Sequence, residues 1–245
     1  IYNHGAEARP VIMALLECDL NVILIDDASD DKNAHILDEY NNSNDEITLV
    51  RHEVNTGKGG AVKSGFLKAR DNNFSHVLQI DADGQHDIND IPNILRLGEK
   101  NPYAVIVGVP VYDKTVSKGR YYARYISHFW VWVETLSFDI QDSMCGFRLY
   151  PLKPVLDVMS KVKLGHRMDF DPEVLVRLHW AGLTIISFMT KVKYIQGGLS
   201  NFRPFQDNLL ISLRHTYLVI GMLVRLPSII ARRLTSKKTK EAKNI

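Results

Sequence analysis

Cysteine is scarce in this chain. Cys18 and Cys145 are the two among 245 residues, and they form no Cys-x-x-Cys pair. That argues against a disulfide framework or a cysteine-built zinc site and fits a reducing compartment. An excess of one charge is also missing: 30 Lys and Arg against 28 Asp and Glu leave a formal +2, so no global attraction to nucleic acid is implied. No uninterrupted run reaches the roughly 20 apolar residues needed to span a bilayer. The segment 126–138 is broken by His128 and Glu134, and 209–224 by Arg214 and His215. No secretory signal pattern is visible. Two glycine fingerprints are absent as well. Val62 stands where G-x-G-x-x-G needs its last glycine, which disfavours a Rossmann dehydrogenase, and no Ser or Thr follows Lys58 as in a P-loop.

What is present is an ordinary α/β composition, 45% hydrophobic and 24% charged. Short apolar runs rich in β-branched residues end in acids at 21–26 and 76–81, with further strands expected at 47–50, 104–109, 146–150 and 184–194. Helical patterns fall at 6–18, 31–42, 57–72, 88–100, 120–138, 171–181 and 206–225. Alternation of this kind predicts a mostly parallel sheet with helices on both faces, and ligands beyond the carboxyl ends of its strands. Residues 2–5 read as the end of a strand whose start is absent. The expected organisation is one domain over 1–200, then an amphipathic helix and basic tail over 201–245. From Arg225 onward, seven Lys or Arg face a single Glu, which suggests either an anionic surface as partner or a solvated end.

The sharpest chemical signal is Asp81-Ala82-Asp83-Gly84-Gln85. Two carboxylates at i and i+2 beyond a strand can converge on a hard divalent cation, Mg²⁺ or Mn²⁺, and Gln85 can add an oxygen. The plain alternative is an acidic turn. An EF-hand loop is rejected, because His86 holds its glycine position and Pro92 its closing acid. Asp26 and Asp27 end the earlier strand, where one can contact a nucleotide and the other serve the backbone. Lys58 sits in a glycine-rich turn that opens a helix, a site suited to phosphate or to close packing of small residues. Arg120, Arg124 and Ser127 share one face of their helix, opposite an apolar stripe of Tyr122, Ile126, Phe129, Val133 and Leu136. Two arginines one turn apart want an anion between them or solvent around them. Asp171 is expected to N-cap its helix, with Pro172 in the first turn.

Taken in order, Tyr2-Asn3, Ile25-Asp-Asp-Ala-Ser29, Asn55-x-Gly-Lys-Gly-Gly-Ala61, Asp81-Ala-Asp-Gly-Gln-His86 and Asp142-x-x-Cys-Gly-Phe-Arg-Leu149 resemble the family-two inverting glycosyltransferases. The last motif and Phe170-Asp171-x-Glu173 are most similar to the polyprenyl-phosphate mannose and glucose synthases, and residues 200–207 to bacterial glycolipid-cluster enzymes. The resemblance implies a GT-A fold and a nucleotide-sugar donor, UDP- or GDP-linked. It implies base contact by Asp26 or Asp27, donor contact by Lys58 and Asp81, and Mg²⁺ or Mn²⁺ on Asp81, Asp83 and Gln85. Arg120, Arg124, Ser143 and Arg148 match positions that hold an acceptor phosphate or the donor diphosphate. A lipid or polyprenyl-phosphate acceptor is implied, at the cytoplasmic face of a membrane.

An ionised phosphate acceptor needs no base, whereas a hydroxyl does. Asp142 is the first candidate for that base and Asp169 the second. Leu209, Leu213, Tyr217, Ile220 and Val224 lie along one side of the last helix, suited to a membrane interface or to packing on the body. The rivals are a sugar nucleotidyltransferase, whose glycine- and arginine-rich loop is not matched, and a catalytically silent nucleotide-binding module.

Overall fold

The structure, a computed structural model, describes residues 1–112, 118–193 and 202–242; at 112, 118–123 and 232–242 the backbone alone is described. In chain order the first half comprises α1 (Gly5–Leu16), β1 (Val22–Asp26), α2 (Asp31–Ser43), β2 (Ile47–Arg51), α3 (Lys58–Asp71), β3 (His76–Gln79), α4 (Ile91–Lys100) and β4 (Val105–Tyr112). The second half comprises α5 (Lys118–Thr135), β5 (Arg148–Pro151), α6 (Leu152–Lys161), α7 (Phe170–Trp180), β6 (Ile185–Val192) and α8 (Pro204–Ala242). The expected α/β alternation holds, and α6 is an addition to it.

Two sheets carry the strands. β1 and β2 pair in parallel, Val22 opposite Ile47 through Asp26 opposite Arg51. The other sheet runs β3-β5-β4-β6, with β4 and β6 parallel and β5 antiparallel to both of its neighbours. Within this sheet β3, β4 and β6 share one direction, as expected, and β5 alone is reversed. Leu136 turns the chain after α5 with φ 50°, and the Gly108 amide donates to the Phe147 carbonyl. The chain thus re-enters at the carboxyl end of β4 and must run backwards into β5. β1 and β3 are not paired with each other, and the Ile1 amine donates to the Ile25 carbonyl on β1.

Both faces of the four-stranded sheet are covered, as strand periodicity requires. Val105, Val107 and Tyr150 point into a core with Phe66, Val155, Phe170 and Leu175. Their neighbours Ile106 and Leu149 point the other way, against Ile91, Ile94 and Phe188. Gly98 lets α4 lie on β5: a Cβ there would stand 2.1 Å from Leu149 Cδ2.

α8 is a single helix of 39 residues. Leu218 and Met222 face the body, and Asp207, Arg214 and His215 pair with Arg167, Asp169 and Glu134. Leu209, Leu213, Tyr217, Ile220 and Val224 face outward. Contrary to the reading that Arg214 and His215 break the run, Pro204–Ala231 is long and apolar enough to cross a membrane by length and composition, with mean hydropathy 1.5. The two residues are spent on the body and leave the outer side apolar. On α5, Ile126 and Phe129 are exposed too, so part of its stripe extends that outer face instead of entering the core.

Candidate active site

Asp81 and Asp83 lie just beyond β3, and the Asp83 carboxylate accepts the Gln85 amide at 3.1 Å. Lys58, the first residue of α3, donates to Asp81 Oδ2 at 2.8 Å and pairs with Asp171 Oδ2 at 2.9 Å. Asp171 in turn lies 3.4 Å from Arg148. Charges therefore alternate inward from the cleft: Asp81, Lys58, Asp171, Arg148. Burial lowers the Lys58 pKa, but the Asp171 and Asp81 carboxylates outweigh it and hold it above the ordinary lysine value. Burial, and then the nearby Asp81 charge, push Asp83 upward.

Burial and like charge both disfavour a second carboxylate beside Asp81. Among the described residues no three acidic, histidine or cysteine side chains gather into a closed cage. A Mg²⁺ or Mn²⁺ ion suits such an incomplete oxygen set, because it keeps positions for water and substrate phosphate. The seat of Asp81 is built: a Cβ on Gly146 would fall 2.1 Å from its Oδ2. The Asp142-to-Leu149 motif thus needs glycine at 146 to let that carboxylate in.

Asp27 organises the turn before α3. It accepts from the Thr56 amide, the Thr56 hydroxyl and the Gly57 amide at 2.7–2.8 Å, and its Oδ1 lies 2.8 Å from His52 Nδ1. Gly57 has φ 81°, a conformation open to glycine, and a Cβ there would meet His166 O at 2.7 Å. Asp26 accepts from Arg51 Nε and the Ser29 amide. Both acids are therefore occupied by backbone and partner contacts, and Asp27 is the one that also lines the cleft. Gly59 allows a close approach, since a Cβ would meet Phe170 Cβ at 2.5 Å. The glycines of this turn thus serve packing, while Lys58 faces the acids.

Asp142 takes both prongs of Arg124, at 2.6 and 2.7 Å, and accepts the Met144 and Cys145 amides. His128 Nε2 is 3.2 Å away. Burial would raise its pKa, but Arg124 and His128 hold it well below the usual carboxylate range. A carboxylate paired this way is a weaker proton acceptor than a free one, which counts against the expected role as base. Asp169 is likewise engaged, by Arg214 at 2.9 Å and by the Arg167 amide. Ser143 and Arg148 are also corrected as phosphate ligands. Both have no exposed surface; the Ser143 hydroxyl meets His128, and Arg148 donates to the Ser143 and Asp171 carbonyls. They hold the motif loop from within. Asp171 is not an N-cap: that position falls to Asp169, and Asp171 in the first turn faces Lys58 and Arg148. The Arg120 side chain lies outside the described residues.

Several contributors escaped sequence reasoning. Asp171 as the partner of Lys58, His128 beside Asp142, and the pair Glu134–His215 depend on contacts between distant segments. A lone acid or histidine in a helix carries no local signal of these. The cleft runs from Asp27, Lys58, Asp81 and Asp83 to Arg124, Ser127 and Trp130 of α5, with Ile211 and His215 of α8 beside them on the same wall.

The family model for glycosyl transferase family 2 matches residues 1–155. A dolichyl-phosphate beta-glucosyltransferase of Dictyostelium discoideum is 28% identical over 219 residues, covering 83% of this chain and 65% of that protein. The chain thus spans somewhat under two thirds of this curated relative's length. Glucosyl-3-phosphoglycerate synthase of Mycobacterium tuberculosis, solved with Mn²⁺, UDP-glucose and phosphoglyceric acid, superposes with a TM-score of 0.62 at 12% identity, over 91% of this chain and 76% of that one. A mannosyltransferase of Pyrobaculum calidifontis, solved with GDP-mannose and Mn²⁺, gives 0.54 at 12%, over 99% and 78%. The fold is GT-A, an α/β architecture with acids at the strand ends. The chain belongs to glycosyltransferase family 2.

Proposed function

We propose that this chain transfers a hexose from a nucleoside diphosphate sugar to a polyprenyl-phosphate lipid, with a divalent cation, at the cytoplasmic face of a membrane. The observation that carries the reading is the acid pair Asp81 and Asp83, braced by Lys58, at one end of a cleft whose other wall is the α5–α8 face. Asp81, Asp83 and Gln85 are the residues to hold Mg²⁺ or Mn²⁺. The ion would offset charge on the departing nucleoside diphosphate. Lys58 keeps Asp81 ionised and in place. Asp27, through Thr56 and Gly57, keeps the turn before α3 in register with the cleft, and Arg124 supplies positive charge near the acceptor. The relative's name supports a glucosyl group and a dolichyl-phosphate acceptor, and the two solved neighbours carry Mn²⁺ with UDP-glucose or GDP-mannose.

Two features favour a phosphate acceptor over a hydroxyl. Asp142 and Asp169, the acids nearest in role to a base, are both committed to arginines. An ionised phosphate attacks without one. The outward apolar residues of α8 and α5 support a membrane as the acceptor's home. Because Asp207, Arg214 and His215 bind the body, α8 is read as lying along the bilayer surface and not as an independent span.

The test is transfer of labelled sugar from UDP-glucose or GDP-mannose to a polyprenyl phosphate in detergent, with Mn²⁺, Mg²⁺ or EDTA. Label should enter the organic phase with metal and acceptor both present. Metal-independent transfer, or none to any prenyl phosphate, would overturn the reading.

A further inference from the structure

Three buried side chains on α5 and α8 form a continuous line. Glu134 Oε1 lies 2.7 Å from His215 Nδ1, and His215 Nε2 lies 2.9 Å from the Ser127 hydroxyl. All three are buried, Glu134 completely. Glu134 Oε2 has no hydrogen-bond partner, and burial pushes this carboxyl's pKa up. Such a group is costly in a core unless it does something for its neighbours. At the other end, Ser127 and His215 both line the cleft, on the wall that carries Arg124 one turn earlier.

We propose that Glu134 and His215 are positioning residues that set the Ser127 hydroxyl as a hydrogen-bond donor to the acceptor's phosphate. The argument is one of donor count. A serine hydroxyl has one proton. When the imidazole is neutral and gives its Nδ1 proton to Glu134, Nε2 is an acceptor and takes the Ser127 proton. When Nε2 carries a proton, on a charged ring or on a neutral ring that accepts at Nδ1 from a protonated Glu134, Nε2–H donates to Ser127 Oγ, and the hydroxyl proton is free for Met144 Sδ at 3.8 Å or for a ligand in the cleft. A phosphate arriving near Ser127 and Arg124 favours this arrangement, since an anion prefers a donor to a lone pair. Acceptor binding then couples to the seating of α8, because His215 is on that helix.

Among the described residues the charged and titratable groups around this line are few. On α5 they are Glu134 and Arg124, the latter paired with Asp142. On α7, Glu173 adds negative charge near Glu134 but is itself paired with Arg177 and Arg214, and the Trp180 indole binds the Glu134 carbonyl. On α8, Arg214 is held by Asp169 and Glu173. A proton at His215 Nε2, shared with Glu134 through Nδ1, therefore decides the direction of the Ser127 bond.

This inference rests on the phosphate-acceptor reading, and the test separates the two. Farnesyl phosphate is titrated into the full chain in detergent, with UDP-glucose and Mn²⁺ titrated separately. His215→Gln keeps a hydrogen-bonding side chain but not the ring that spans Glu134 and Ser127, and Ser127→Ala leaves the Glu134–His215 pair intact. Each variant should lose about tenfold in farnesyl phosphate affinity, the worth of one charge-assisted hydrogen bond, with donor affinity unchanged, and the double variant should lose no more than Ser127→Ala alone. Full affinity in either single variant, or additive losses in the double variant, would overturn the relay and leave the function standing. Donor binding without any farnesyl phosphate binding by the native chain would overturn both.

Discussion

The carboxylate of Asp81 rests against Gly146: a methyl group on that glycine would stand 2.1 Å from Oδ2 and 2.4 Å from Oδ1. A residue 65 positions away in sequence thereby sets where an acid at the tip of β3 can point. Gly146→Ala must move Asp81, which Lys58 holds from the other side. We expect metal-dependent transfer to fall by about a hundredfold, the scale of a misplacement near 1 Å. Circular dichroism should remain native. A Mn²⁺ titration that reaches the native maximum rate would contradict this.

Lys58→Met should be costly to stability. The Asp171 side chain is 1% exposed, and its Oδ1 already lacks a hydrogen bond. Removing the ammonium leaves a buried carboxylate facing Arg148 alone. Breaking a buried pair in this way costs about 3–5 kcal/mol. Urea unfolding at neutral pH measures it, and Lys58→Met with Asp171→Asn should recover part of the loss. A single variant as stable as the native chain would show that the pair carries no such weight.

Acid should weaken the turn before α3. Burial would raise the Asp27 pKa, but the His52, Thr56 and Gly57 hydrogen bonds outweigh it, so the folded value is depressed. A depressed carboxylate contributes stability above its unfolded value, about pH 4. That contribution disappears as pH falls through the folded value. Asp27→Asn should thus lower stability at pH 7 and flatten the acid limb of a thermal-melt profile below about pH 4. An acid limb as steep as the native one would place that proton uptake elsewhere.

The two cysteines should label differently. Burial, and then the Asp142 charge, push the Cys145 thiol up to about 12. At pH 8 it is neither ionised nor reachable. A native-state titration with a thiol reagent should modify Cys18, which is partly exposed, and spare Cys145 until denaturant is added. Two thiols reacting at one rate in the folded chain would contradict the buried seat of the Cys145 loop.

Much of this arrangement is legible in the residues, and the boundary of what is legible has physical causes. Val22–Asp26 and His76–Gln79 announce themselves as strands because a short β-branched or apolar run ending in polar residues has few other uses. Asp30 caps α2 as its type and position suggest, accepting the Asn33 amide. The reversed β5 was not legible, since four residues buried on both faces carry no signal of direction. α6 escaped notice because Pro154 lies in its first turn and it has 10 residues. The outward part of the α5 stripe was not legible, because apolar periodicity tells which residues share a face and not what that face meets. The partners of Asp142, Asp171 and Glu134 were hidden for a further reason. Ion pairs between α5, α7, α8 and the loops are set by packing, which no local pattern encodes.

The account stands on a divalent ion at Asp81 and Asp83 that binds together with the donor. The most direct measurement is calorimetric titration of UDP-glucose and of GDP-mannose into the native chain and into Asp83→Asn, with and without Mn²⁺. One donor should bind the native chain at least tenfold more tightly with Mn²⁺ than without, and Asp83→Asn should lose that difference; about 1.4 kcal/mol corresponds to the tenfold step. Equal donor affinity with and without metal, or a Mn²⁺ effect that survives in Asp83→Asn, would contradict it.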